Sequence, residues 1–109
     1  MLAKRSGWTV LARKYRATRI PAGKRWRPVT ISVGRLFFRD RATVCADEDA
    51  VYLALTPYMR PFHPPLLIPW SDLTRRGGHT DQVVFVVGEP GIGEIRIPMA
   101  VVESVSVPV

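Results

Sequence analysis

Residues 62–73 read Phe62-His63-Pro64-Pro65-Leu66-Leu67-Ile68-Pro69-Trp70-Ser71-Asp72-Leu73, and this stretch decides the class of fold. Three aliphatics in a row, bounded by turn residues, make a short buried strand. Proline brings no N–H to a sheet ladder, so Pro65 and Pro69 confine that strand to an edge or a bulge. Trp70 and Leu73 then anchor a turn whose polar positions are Ser71 and Asp72. A small β-rich scaffold with a kinked strand near its middle is the expectation.

The rest of the chain agrees. It has 109 residues with ten prolines and eight glycines, a density of turn residues that favours short strands over long helices. A hydrophobic share of 47% with 23% charged residues belongs to an ordinary globular domain. Val29-Thr30-Ile31-Ser32-Val33 alternates as a half-buried strand does, and Leu36-Phe37-Phe38 is ambiguous. Thr43-Val44-Cys45-Ala46 and Val51 to Leu55 form a hairpin across the acidic turn Asp47-Glu48-Asp49. Gln82 to Val87 and Glu94-Ile95-Arg96-Ile97 are further strands, joined by a glycine-rich turn. Residues 75–81 and the proline-rich 56–64 read as loops.

Trp8, Leu11, Ala12 and Tyr15 recur at helical spacing after Ser6, a candidate N-cap, and a shorter helix is predicted after Pro98. The expected fold is therefore mainly β (α+β): a curled antiparallel sheet or barrel of about six or seven strands with a short helix at each end. One domain spans 1–109, with a basic helix and loop over 1–28, the sheet over 29–97 and a short helix and tail over 98–109. Trp70, Leu67, Val44, Leu53 and Phe85 are the predicted centre of the core. The tail Val105-Ser106-Val107-Pro108-Val109 reads as extended, able either to fray or to add to a sheet edge, which would give a two-fold dimer.

The segment Leu66 to Leu73 resembles the hydrophobic–Ile-Pro-Trp/Tyr-Ser-Asp/Glu–hydrophobic signature of small bacterial proteins related to pleckstrin-homology/GRAM-like domains. Gly7, Trp8, Leu11, Ala12 and Tyr15 match the short N-terminal helix of such proteins. His63, Pro65, Pro69, Trp70 and Asp72 carry the structural signature. The resemblance implies a binding module, and the superfold hosts too many functions to imply its ligand.

Charge is unevenly placed. Residues 1–41 hold twelve Lys or Arg against one acid, Asp40, a net of +11; residues 42–109 hold four Arg against eight acids, a net of −4, giving +7 overall. The basic half either meets an anionic partner or is neutralised internally by the acidic half. Arg13, Lys14, Arg16, Arg19, Lys24, Arg25, Trp26 and Arg27 are the candidate anion-binding set. Guanidinium groups match phosphate oxygens, and an exposed tryptophan stacks on bases or enters a lipid interface.

Catalytic and metal chemistry find little support. Cys45, His63 and His79 share no ligand spacing, so neither a metal nor another cofactor is expected. Cys45 lies in a strand pattern as a small core residue, His63 as a residue that bonds loop backbone or caps a pocket. Residues 88–94 lack the lysine of a phosphate loop and read as a hairpin turn. The single cysteine excludes an internal disulfide, the basic start lacks a signal-peptide core, and no apolar run approaches membrane-spanning length. A cytoplasmic, non-enzymatic module is expected, working through an unidentified protein partner or itself. The alternative is an anionic membrane surface or nucleic acid bound by the basic N-terminal segment.

Overall fold

A computed structural model describes residues 7–79, 81–88 and 90–105, with only the backbone of His79 included. Helix α1 (Gly7–Tyr15) precedes strands β1 (Arg25–Val33), β2 (Leu36–Ala46), β3 (Ala50–Leu55), β4 (Leu66–Pro69), β5 (Leu73–His79), β6 (Gln82–Val87) and β7 (Gly93–Pro98); helix α2 (Met99–Glu103) follows. All seven strands form one antiparallel sheet in the order β4-β3-β2-β1-β7-β6-β5, curled into a half-barrel. The fold class expected from the sequence is the one observed.

Side-chain alternation gives the curled sheet a single buried face. Ile31 and Val33, Val44, Leu53, Leu66 and Ile68, Val83 and Phe85, and Ile95 and Ile97 all fall in one buried cluster. α1 adds Trp8, Leu11 and Tyr15 to that cluster, and α2 adds Val101. The predicted helical stripe is thus the buried face of α1, while Arg13, Lys14 and Arg16 are exposed. Ser6, its candidate cap, lies outside the described residues.

α1 sits tightly against the β1–β2 turn. A Cβ on Gly7 would come 2.7 Å from the Cα of Gly34, and Gly34 has φ +60°. Only two glycines permit this approach together with this turn.

β4 is an edge strand, as its prolines require, and Pro69 closes it opposite Ala50. Its outer edge is partly covered: Arg16 bridges Leu66, and the Ala17 N–H donates to Pro65 O at 2.9 Å. The Trp70–Asp72 turn follows, with Trp70 and Leu73 buried. Tyr15 Oη donates to Asp72 Oδ2 at 2.7 Å, and burial, with that hydrogen bond, pushes the phenol up to about 12.

Three expectations need correction. Leu67 does not join the core around Trp70, because one-residue alternation sends it to the opposite face. There it is half-buried against a small cluster of Cys45, Tyr52 and Ala54. Residues 75–79 are strand rather than turn: β5 pairs with β6 from Leu73↔Val87 to His79↔Gln82, with an irregularity between Arg75 and Gly77. The ladder supplied by β6 overrides the turn propensity of two glycines. The sheet begins at Arg25, not Val29, with Arg25 opposite Cys45 and Trp26 opposite Val44. Pro28 is accommodated because the ladder is already interrupted there. Of the valine tail only Val105 is described, half-buried against the core; 106–109 lie outside the described residues.

The acidic turn is a structural joint. Asp47 accepts from Arg19 Nη1 and from the N–H groups of Asp49 and Ala50, each at 2.9 Å. Arg19, the largest influence, holds the Asp47 carboxyl below the usual carboxylate range. A carboxyl lowered on folding stabilises the fold above its unfolded value and loses that contribution as pH falls through the folded value. Thermal stability should therefore fall on acidification below about pH 4, and Asp47→Asn should flatten that decline. An unchanged pH profile in the variant would contradict the assignment.

Candidate anion-binding cleft

Two irregularities in the β1–β2 ladder shape the most suggestive surface. From Trp26↔Val44 to Val29↔Ala42, the pair Arg27-Pro28 stands opposite the single residue Thr43. The Arg27–Pro28 peptide bond is cis. From Val29↔Ala42 to Ile31↔Phe38, the three residues Arg39, Asp40 and Arg41 stand opposite Thr30 alone. Such bulges re-aim side chains away from the regular pleat. Asp40 adopts the left-handed region at φ 53°, which aspartate tolerates when its side chain bonds locally. Here the Asp40 N–H donates to Thr30 Oγ1 at 3.1 Å, and that hydroxyl donates to Asp40 Oδ1 at 3.4 Å.

The connection from β3 to β4 closes against this surface. Thr56 N–H donates to Arg41 O at 3.1 Å, extending the β2–β3 ladder, and Pro57–Met59 forms a 3-10 turn. His63 is pinned edge-on to both Trp8 and Phe38, with centroids 5.6 and 5.7 Å away, and its Nδ1 lies 3.2 Å from Met59 O. The expected loop-bonding role of His63 is observed. Trp8 Nε1 donates to Pro64 O at 2.8 Å, so α1 holds the far end of the same connection.

Between these elements lies a cleft of about 400 Å³, lined by Arg27, Arg41 and Arg60, by Thr43 and Thr56, and by apolar neighbours including Leu55. None of its lining residues is acidic. Arg41 donates through Nη1 to Tyr58 Oη, and Arg60 through Nε to Leu55 O at 3.1 Å, which holds both guanidiniums while leaving further N–H groups. The two ion pairs among the described residues, Arg19–Asp47 and Arg76–Glu94, involve none of the three. Thr56 Oγ1 is, among the described residues, the one buried side-chain polar atom with no hydrogen-bond partner. A recess of about 750 Å³ adjoins, sharing Arg41 and lined also by Phe37, Phe38, Arg39, Asp40, Tyr58 and Met59. Phe37, Tyr58 and Phe62 are 64%, 65% and 80% exposed, a conspicuous investment of aromatic surface in water.

The eight-residue set expected from the sequence is not one surface. Arg27 alone reaches the cleft. Arg19 is engaged by Asp47. Trp26 is half-buried against the core rather than free to stack, and Lys24 covers its ring at 4.0 Å. Lys14 lies over the Tyr15 ring at 5.5 Å, while Arg13 and Arg16 line a shallow groove with Phe62 and Pro64. Arg25 flanks Cys45, whose Sγ donates to Pro21 O at 3.1 Å; burial pushes the thiol up despite the Arg25 charge. A buried thiol with a raised pKa is a poor nucleophile.

Arg41, Arg60 and Thr56 were not singled out by sequence. Arg27, Arg41 and Arg60 lie 14 and 19 positions apart, and no local pattern joins them. Among the described residues no group of three His, Cys, Asp or Glu side chains converges, and no helix is long and apolar enough to cross a membrane. Comparison with family models, with curated proteins and with solved structures finds no match.

Proposed function

We propose that this chain is a non-enzymatic interaction module of pleckstrin-homology-like character that docks the face built by residues 37–41 and 57–60 against an acidic surface of another protein. The observation that carries this reading is the pair of exposed aromatics, Phe37 and Tyr58, that line one recess with Arg39 and Arg41. Aromatic residues and arginine are the types enriched at the centres of protein interfaces. The recess between Phe37 and Tyr58 is concave, which suits a protruding protein side chain better than a flat bilayer. Self-association through this face would oppose arginine to arginine, so a different, acidic chain is the better partner.

The test uses the intact protein immobilised as bait, beside a variant carrying Phe37→Ala and Tyr58→Ala. The bait should retain an acidic protein that elutes with salt, and the folded variant should not. Equal retention by both sinks the reading. Anionic vesicles and duplex DNA are run at low salt in parallel. Face-dependent binding to either, without a protein partner, transfers the function to a membrane surface or nucleic acid. Affinity for duplex DNA would fall by about 0.9 log unit per log unit of salt for each phosphate neutralised.

A further inference from the structure

We infer that the cleft between Arg27, Arg41 and Arg60 is a binding site for the phosphoryl group of inorganic phosphate or a small phosphate monoester. The inference concerns a small ligand and stands apart from the protein-docking reading. Three arginines line one concavity without an acid among them; the Arg60 guanidinium is held by Leu55 O, and that of Arg41 by Tyr58 Oη at the border with the adjoining recess. Arginine presents planar N–H pairs that match phosphate oxygens, and prior positioning reduces the entropy lost on binding. A carboxylate offers two oxygens; a phosphate dianion offers at least three, enough to engage several guanidiniums together.

The threonines complete the chemistry. Thr43 and Thr56 line the same cleft, and Thr56 Oγ1 is buried without a partner. Such a hydroxyl costs stability in the free protein. That oxygen is shut off from the cleft, so it bonds a ligand oxygen only once the Thr56 side chain turns outward. A cleft of about 400 Å³ holds a phosphate with room for a small ester substituent. The recess beyond Arg41, which mixes Phe37, Phe38 and Tyr58 with Arg39 and Asp40, lies where that substituent would extend.

The test is a titration of the full chain, followed by amide chemical shifts at constant ionic strength. The probes are inorganic phosphate, phenyl phosphate and acetate. Saturable shifts are expected at 41–43 and 55–57, with a dissociation constant on the order of 1 mM for inorganic phosphate. Binding should strengthen as pH rises through the second phosphate pKa, about 6 for the monoester and about one unit higher for inorganic phosphate. Phenyl phosphate binding more tightly assigns the site to esters, and equal or weaker binding assigns it to free phosphate. Arg27→Gln should weaken binding at least fivefold, the scale of one lost charge-assisted hydrogen bond. Arg75→Gln, which removes the same charge on β5 away from the cleft, should change it less than twofold. Should Arg27→Gln not fold, Arg60→Gln carries the same expectation. Thr56→Val should weaken binding while raising the thermal midpoint, a pairing that a purely structural residue would not show. Acetate binding as tightly as phosphate, the absence of saturation by about 20 mM phosphate, or equal losses in the cleft and β5 variants would overturn the assignment.

Discussion

Trp70→Ala is expected to lower the free energy of unfolding by about 3–5 kcal/mol, a large part of the 5–15 kcal/mol typical of a domain. The ring is 3% exposed and meets Phe85 at 5.9 Å between centroids, in an edge-on arrangement. Its surroundings make the loss more than one of volume. Trp70 Nε1 donates to Asp47 O at 2.8 Å, and its backbone N–H to Asp49 O at 3.0 Å. One residue thus ties the β4–β5 corner to the β2–β3 turn and to β6. Truncation opens a cavity and leaves the Asp47 carbonyl without its indole donor. Trp70→Phe keeps most of the ring and should cost less, about 1–2 kcal/mol beyond repacking. Denaturant unfolding of the three proteins measures both steps. Unchanged stability in Trp70→Ala would contradict the packing described for this corner.

Trp8→Ala is the second large effect, again about 3–5 kcal/mol, with a local consequence that Trp70→Ala lacks. Trp8 is fully buried, lies edge-on to Phe38 and His63 at 5.6 Å each, and donates to Pro64 O. Through Pro64 and His63 it holds the connection that carries Tyr58 and Arg60. Its loss should raise hydrogen exchange across residues 57–63 more than across β6 and β7. A uniform increase over the whole sheet would show that α1 is merely one more part of the core. A rise confined to 57–63 would show that α1 positions the cleft.

Much of the scaffold was legible because its signals are local. Pro65 and Pro69 fixed an edge strand, Trp70 and Leu73 a corner, and the apolar run 51–55 after an acidic turn a paired strand; each acts within a few residues. β5 was not legible, since Arg75-Arg76-Gly77-Gly78 has the composition of a turn and becomes a strand only with β6 beside it. Arg25 to Pro28 misled for a related reason, because a bulge lets proline into the ladder. The cleft was invisible to any linear reading. It depends on register shifts that bring Arg27 and Arg41 to one concavity, and on a β3–β4 connection that returns Arg60 to it. The charge excess over residues 1–41 pointed to an anionic partner, yet most of those cations lie outside the cleft, several held by Asp47, Trp26 or Tyr15.

The central claim is that the bulged face, rather than a sheet edge, is where this protein meets its partner. The β5 edge is the natural rival, because β4 is proline-bounded and partly covered by Arg16 and Ala17. Site-specific photo-crosslinking compares them directly, with the reactive group placed at Tyr58 in one protein and at Thr74 on β5 in another. Docking through the bulged face predicts a discrete protein adduct from Tyr58 that salt suppresses, and none from Thr74. An adduct formed from Thr74 alone would contradict it.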